Sequence, residues 1–353
     1  MISRVAVGLA SLALVAGPVL AATPAHAVLA RPNVAAGHAS TIAGCVTGTA
    51  KPVGRYGHDP ATITPAVQAK VQGQLNAETT TLKADAERTA ARDLVRGRVT
   101  TTVPVLPAQI HVPVVIHIIH GTHKKDRNVS RSAARNLFRI LKAGYAGKQD
   151  PTMVPTGVMF RLAKVTVSRN DSWYHARPGT RADKQMKRKL HRGQKNMLNI
   201  YLNSVSEPDG ALLGFSRFPW AAARQPKLDG ITINVASMPG GRAHAYNLGD
   251  TVIHESGHWL GLFHTFQGGC EAPGDGVADT PAEAEPSFKC NKTRDTCPTP
   301  LPAGWVQGDP LPAPELDPVT DFMDYSYDTC MNHFTPGQRT RMVTAFLRYR
   351  AVH

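Results

Sequence analysis

Apolar residues recur in short runs through the middle of the chain, and these runs predict a sheet. Residues 111–119 form an almost continuous β-branched run, which is typical of a strand buried on both faces. Four further strands are predicted at 158–167, 197–202, 213–218 and 230–234. Strands that precede one long helix favour an α/β (α+β) fold, with a twisted sheet of about five strands.

Helical periodicity and capping residues mark three other parts of the chain. Residues 64–96 are rich in Ala, Gln, Glu, Lys and Leu, which predicts one or two helices. Ser130 can cap a helix that runs to Gly144. Thr335 and Gln338 have the spacing of a capping box, which predicts a helix to about residue 349.

The N-terminal residues have the features of an export signal. Arg4 precedes an apolar stretch over 5–20, and Ala25 and Ala27 provide the small residues that a signal peptidase requires. We therefore expect 1–27 to be a signal peptide and the mature protein to be secreted and extracellular. A membrane anchor is the alternative, but the stretch is short and contains Pro18.

Residues 28–108 are predicted to be a propeptide that contains helices and a linker. The linker from Arg96 to Gln109 carries Pro104 and Pro107 and lacks periodicity, so we expect the propeptide to be cut there. The remaining residues, 109–353, are expected to form one domain, with subdomains at 109–264 and 265–353.

Composition narrows the expected partners. The chain has 353 residues, 42% of them hydrophobic, and a formal net charge of +14, which favours solubility and attraction to acidic surfaces. It contains no nucleic-acid-binding signature, and we expect no nucleic acid, no stable membrane association and a monomer. Seven Lys or Arg residues within 181–195 are interpreted as a solvated face.

Five cysteines agree with an oxidising compartment. Four of them lie in one third of the chain, and Cys45 stands apart near the N-terminus. The four are Cys270, Cys290, Cys297 and Cys330, which can form two disulfides in three connectivities. Residues 265–322 are rich in Gly, Pro and Asp, so this irregular C-terminal subdomain needs cross-links.

Residues 251–264 carry the most specific motif. His254 and His258 are four residues apart and share one face of a helix, where both can bind one zinc ion. Gly261 can end the helix and return His264 as a third ligand. Three protein ligands leave one position for water, which is typical of a catalytic site, and Glu255 is suited to act as the general base.

The extended motif resembles the pappalysin family of metzincin zinc metalloproteases, in its compact secreted, ulilysin-like branch. The resemblance covers about residues 110–350 and rests on the histidine motif, on the segment after His264 and on Met323-Asp324-Tyr325. It implies that residues 109–353 are a metzincin catalytic domain with a mostly parallel sheet, a backing helix and an active-site helix. It also implies a zinc-dependent endopeptidase acting on protein or peptide substrates.

The resemblance assigns further residues. Met323 would form the Met-turn below the metal, and Tyr325 would stabilise the tetrahedral intermediate. The implied disulfides are Cys270–Cys297 and Cys290–Cys330. A calcium ion would bind Asp275, Asp279 and Thr280.

Latency and specificity are also suggested by the resemblance. Cys45 would occupy the fourth zinc position in a latent precursor, although Val46 interrupts the family pattern. Residues 213–219 correspond to the edge strand that pairs with extended substrate. Thr329 stands where arginine-preferring relatives have an acidic residue, so a preference for basic residues is not expected.

Two other functions agree with parts of the sequence. A non-catalytic zinc-binding or adhesive module would keep the histidines for structure, but would have no use for Glu255. A zinc hydrolase of a non-peptide polymer would agree with the basic surface. The fold alone does not distinguish these functions, so the choice between them depends on the residues of the site.

Overall fold

A computed structural model describes residues 63–96, 105–126, 129–205, 212–297 and 315–352. The predicted signal peptide and Cys45 lie outside these residues. In the described ranges, no helix combines the length and the apolar character that a bilayer span needs.

A five-stranded sheet forms the centre of the domain, in the order β2-β1-β3-β5-β4. The strands are β1 (Ile110–His120), β2 (Val158–Arg169), β3 (Leu198–Asn203), β4 (Gly214–Ser216) and β5 (Ile231–Asn234). All neighbours are parallel except β4, which runs antiparallel to β5 at the sheet edge. The five predicted strands and the mostly parallel sheet are confirmed.

Seven α-helices surround this sheet in the described part of the chain. They are α1 (Pro65–Val95), α2 (Arg131–Tyr145), α3 (Asp171–Tyr174), α4 (Arg181–Leu190), α5 (Pro219–Ala222), α6 (Thr251–Trp259) and α7 (Pro336–Ala345). Short 3₁₀ turns lie at Lys124–Asp126, Pro226–Leu228 and Val235–Ser237, and a π-turn at Phe346–Arg350 follows α7. Ser130 caps α2, and Thr335 with Gln338 forms the predicted capping box of α7.

The two faces of the sheet are covered by different helices. Successive side chains of β1 point to opposite faces of the sheet, so Val114 and Ile116 lie on one face and His117 on the other. Val114 and Ile116 point into the main core, as does Leu202 of β3. This core contains the apolar faces of α2 and α6. On the opposite face, Ile119 and Tyr201 pack against residues of α3 and α4.

Six of the seven Lys and Arg residues within 181–195 are exposed, as expected of a solvated face, and Lys187 is the exception. Lys187 is 4% exposed. Its ammonium lies 3.1 Å from the carboxylate of Asp183, one turn earlier, and 4.4 Å from the ring centre of Phe215 on β4. A basic run still has one side that faces the sheet, and burial there requires an ion-pair partner.

Within 265–297 and 315–335, the described parts of the C-terminal subdomain before α7, there is little regular structure. Two disulfides cross-link this subdomain and join Cys270 to Cys297 and Cys290 to Cys330. Its covalent links therefore replace much of the apolar core that a segment of this composition lacks.

The π-turn after α7 returns the chain to α6. Arg350 is 1% exposed and pairs with Asp229 at 2.7 Å. Its guanidinium lies 3.6 Å from the ring centre of Trp259, and its Nε donates to the Trp259 carbonyl. The end of α6 is thus held by a residue that follows it by 91 positions.

Candidate active site

Helix α6 carries the first two histidines on a fully buried element. Every residue from Thr251 to Trp259 is buried, with the sheet on one side and the Met323 segment on the other. Four residues make slightly more than one helical turn, so His254 and His258 lie one above the other. Their rings meet edge to face, with centres 4.7 Å apart.

A glycine ends α6 and turns the chain towards the third histidine. Gly261 has a φ of 101°, in the left-handed region that residues with a Cβ rarely adopt. A Cβ there would also lie 2.8 Å from the Cβ of Ala345 in α7. This turn places the His264 ring 4.5 Å from that of His258.

The three imidazoles direct their Nε2 atoms towards one point. The Nε2 of His258 lies 3.1 Å from that of His254 and 3.0 Å from that of His264. A tetrahedral zinc ion with Zn–N bonds of about 2.05 Å would hold two such nitrogens about 3.3 Å apart. The observed spacing is close to this value, so the donor set fits zinc.

Backbone carbonyls fix the orientation of two of these rings. The Nδ1 of His254 lies 2.7 Å from the Phe322 carbonyl, and the Nδ1 of His258 lies 2.8 Å from the Leu262 carbonyl. A carbonyl can only accept, so each Nδ1 carries the proton and each Nε2 presents its lone pair to the centre. Both imidazoles are therefore set up as neutral metal ligands.

Met323 lies directly below the active-site helix. Its sulfur would be 2.4 Å from a Cβ built on Gly257, the residue directly before His258. Gly257 is thus a packing requirement within the histidine motif. Met323 is fully buried, and its carbonyl accepts from Thr265, the residue after the third histidine.

A buried carboxylate supports the Met323 segment. One oxygen of Asp321 accepts from the Met323 amide at 2.7 Å and from the Gln338 side chain of α7 at 3.0 Å. Burial, with a smaller contribution from the charges of Asp275 and Asp324, raises the pKa of Asp321 to about 8. Asp321 therefore carries a proton over most of the neutral range.

Glu255 lies below the edge strand. It is 2% exposed, and a Cβ on Gly214 of β4 would lie 2.9 Å from both its Cγ and its Oε1. The side chain of Glu255 therefore occupies the space that a residue other than glycine on β4 would need. The predicted base therefore lies directly against the strand expected to bind substrate.

Tyr325 lies at the edge of the same centre. Its hydroxyl is 3.1 Å from the Nε2 of His264, and its ring is 4.9 Å from that of Phe266. Phe266 in turn stacks on His264, with ring centres 4.7 Å apart and planes 8° apart. The structure thus brings Tyr325 together with the histidines, as the resemblance implied.

The acidic residues predicted to bind calcium have other contacts. Asp279 accepts from the Gly337 amide at 2.8 Å and from the Thr335 hydroxyl at 2.7 Å, and so caps α7. Asp275 is buried, which raises its pKa to about 7, and it accepts from the Val277 amide. Over the residues that the structure describes, the three histidines form the single group of three or more metal-binding side chains. Calcium binding at Asp275, Asp279 and Thr280 stays a prediction.

Sequence reasoning missed two glycines that shape the site. Gly214 faces Glu255, and Gly257 faces Met323. Gly257 could have been suspected, because it sits between ligands on one helix, where glycine is an unfavourable choice. Gly214 had no such signal, since its neighbour is 41 residues later in the chain.

Known proteins with related sequences are metalloproteases. The peptidase family described as "Pregnancy-associated plasma protein-A" matches residues 180–347. An extracellular metalloprotease of Verticillium alfalfae is 43% identical over 249 residues, which is 69% of this chain and 78% of that protein. Extracellular metalloprotease 1 of Coccidioides posadasii is 38% identical over 250 residues, 70% of this chain and 80% of that protein.

A solved structure has the same fold. Mature mirolysin of Tannerella forsythia, in complex with a cleaved peptide, superposes with a TM-score of 0.53 and 25% sequence identity, over 66% of this chain and 90% of that chain. The histidine geometry, the metzincin fold and the shared sequence lead to one assignment. The chain belongs to the pappalysin family of metalloproteases.

Proposed function

We propose that the protein is a secreted zinc endopeptidase, made as a latent precursor, in which Glu255 is the general base. The observation that carries the proposal is the convergence of three imidazole Nε2 atoms, two of them on a helix that also carries a buried glutamate. A site that served only to hold a metal would not need Glu255 buried against the sheet edge.

His254, His258 and His264 would hold the zinc ion. When bound there, zinc supplies Lewis acidity that activates a water molecule and polarises the scissile carbonyl. Glu255 takes a proton from the water and delivers it to the leaving amine. The hydroxyl of Tyr325, next to His264, donates to the oxygen on which negative charge develops.

The edge strand provides the surface for substrate. β4 is paired on one side only within the described sheet, so its other side can pair with an extended peptide. Gly214 sets this strand directly over Glu255, which would bring a bound peptide bond close to the base. The proposed substrate is therefore an unfolded or extended protein segment.

Export and latency complete the proposal. The signal-like sequence 1–27 and the names of extracellular relatives support secretion. Cys45 is proposed to bind the zinc ion until the propeptide is removed, since a thiolate is a strong zinc ligand.

The test is the Glu255→Ala variant of the mature enzyme. We expect at least about a 10²–10⁴-fold loss of peptide hydrolysis, because a positioned base contributes about this factor, while bound zinc stays stoichiometric. Activity on a quenched fluorescent peptide library and zinc content by atomic emission are measured in parallel.

Two further variants separate the roles. Glu271→Ala, an exposed glutamate of the same subdomain, should retain full activity. His264→Ala should lose zinc as well as activity, because it removes a ligand. Normal hydrolysis by zinc-loaded Glu255→Ala would rule out the proposed mechanism.

A further inference from the structure

Helix α1 of the predicted propeptide is docked on the catalytic domain. Val71 and Leu75 lie one turn apart and are 2% and 3% exposed. They pack in one apolar cluster with Phe218, Phe263 and Ala345. The first half of α1 thus makes a specific contact with three separate segments of the catalytic domain.

Polar side chains in the same part of α1 also contact the catalytic domain. The Gln72 side chain accepts from Arg341 at 2.5 Å, and the Gln74 side chain accepts from the Tyr349 hydroxyl at 2.7 Å. Further along, Glu78 pairs with Arg348 at 3.0 Å. Nearer the start of α1, the Gln68 side chain donates to the Gly274 carbonyl.

The other half of α1 differs in character. Leu94 and Val95 are 73% and 87% exposed. All buried residues of the helix lie between positions 68 and 75. The contacts therefore end well before the linker in which the propeptide is expected to be cut.

The surface below α1 is formed by Phe218, Trp220, Phe263, Arg341 and Tyr349, and we name it the helix-binding surface. Its aromatic rings support one another: Phe218 stacks on Trp220 at 4.6 Å, and Trp220 meets Tyr349 at 6.1 Å. Arg341 lies 4.3 Å from the ring centre of Phe263. These contacts lie within the catalytic domain and do not depend on a covalent connection to α1.

The helix-binding surface also adjoins the metal ligands. The ring of Phe218 meets that of His258 at 5.3 Å. Arg341 donates from Nε to the carbonyl of Gly261 at 2.9 Å, in the turn that leads to His264. Departure of α1 would expose apolar rings beside the metal site, which is unfavourable in water.

We propose that the helix-binding surface binds α1 as a ligand, so that α1 stays on the catalytic domain as a separate chain after residues 97–104 are cut. A helix that seats apolar residues one turn apart on an apolar surface is a common mode of peptide recognition. The cut would leave every contact named above intact. The inference concerns binding alone and goes beyond the proposed catalytic function.

The experiment uses the full chain with Glu255→Ala, so that any activity of its own cannot process it. A recognition sequence for a site-specific protease is inserted after Gly97, and the protein is cut and examined by native mass spectrometry and gel filtration. We expect the fragment that contains α1 to migrate with the catalytic domain. Separation of the two chains in native buffer, with the catalytic domain still folded by circular dichroism, would overturn the proposal.

Two matched substitutions in α1 locate the contact. Leu75→Asp should abolish co-migration, whereas Leu94→Asp should leave it unchanged, because the same charge is introduced at a buried and at an exposed position of one helix. Hydrogen exchange of β1 and β3 shows whether each variant is folded. If Leu75→Asp does not fold, Gln72→Ala replaces it and should weaken co-migration through loss of the Arg341 contact. Equal co-migration of the folded α1 variants would also overturn the proposal. The readout is independent of hydrolysis, so failure would leave the proposed function untouched.

Discussion

Gly257 shows how one missing side chain can decide the geometry of a metal site. The Met323 sulfur occupies the place of its Cβ, so the active-site helix rests directly on the methionine. Gly257→Ala should destabilise the fold by about 1–3 kcal/mol, as overpacking of a dense core does. It should also weaken zinc binding, because both histidines of α6 would move.

Thermal unfolding and competition with a zinc chelator measure these two effects. Gly73→Ala is the matched control, since nothing lies within 4 Å of its added methyl group in the middle of α1. That substitution should leave zinc binding unchanged and stabilise the helix by about 0.5–1 kcal/mol. Equal zinc affinity in Gly257→Ala and the unmodified protein would contradict the packing argument.

Asp321 predicts a dependence of stability on pH. Its pKa is about 8 in the folded protein, against an ordinary value of 3.8. Between these values the unfolded chain releases the proton while the folded protein keeps it, so the contribution of Asp321 to stability falls as pH rises. Asp321→Asn keeps the oxygen that accepts from Met323 and Gln338 but cannot ionise.

The Asn variant should therefore lose less unfolding free energy than the unmodified protein between about pH 4 and about pH 8. Urea unfolding at several pH values gives the slope of the unfolding free energy against pH for each of the two proteins. Parallel slopes would mean that Asp321 is ionised in the folded protein throughout this range.

At the scale of elements, the two disulfides should differ in their effect on activity. They close segments with separations of 27 and 40 residues, for which loop closure gives roughly 3–4 kcal/mol each. Cys330, however, lies five residues after Tyr325, and its amide donates to the Tyr327 carbonyl at 2.7 Å. The second bridge therefore restrains the segment that carries Tyr325.

Replacing Cys290 and Cys330 by Ser should lower both the unfolding temperature and kcat. The matched pair Cys270→Ser and Cys297→Ser should lower the unfolding temperature by a similar amount with a smaller effect on kcat. Thermal unfolding and steady-state hydrolysis of one peptide distinguish the two. The reverse order of activity losses would show that the 290–330 bridge does not position Tyr325.

Across the whole molecule, features that depend on local sequence patterns could be predicted, whereas contacts between distant segments could not. The five strands followed from local apolar patterns, and the three histidines followed from their spacing on a helix and across a Gly turn, since both depend on short-range geometry. Three other features depend on contacts between distant segments. They are the packing of Lys187 on Phe215, the approach of Gly214 to Glu255, and the docking of α1 on the catalytic domain. No local periodicity encodes such contacts, so they became visible only in the folded chain.

Arg350 sets a condition on the order in which the protein is made and folded. It completes the packing of Trp259 at the end of the helix that carries His254 and His258, although it is synthesised 91 residues later. The ribosome therefore produces all three histidines well before the helix that bears two of them can be fully supported. A nascent chain is therefore expected to contain the metal ligands without a finished centre until synthesis has passed residue 350.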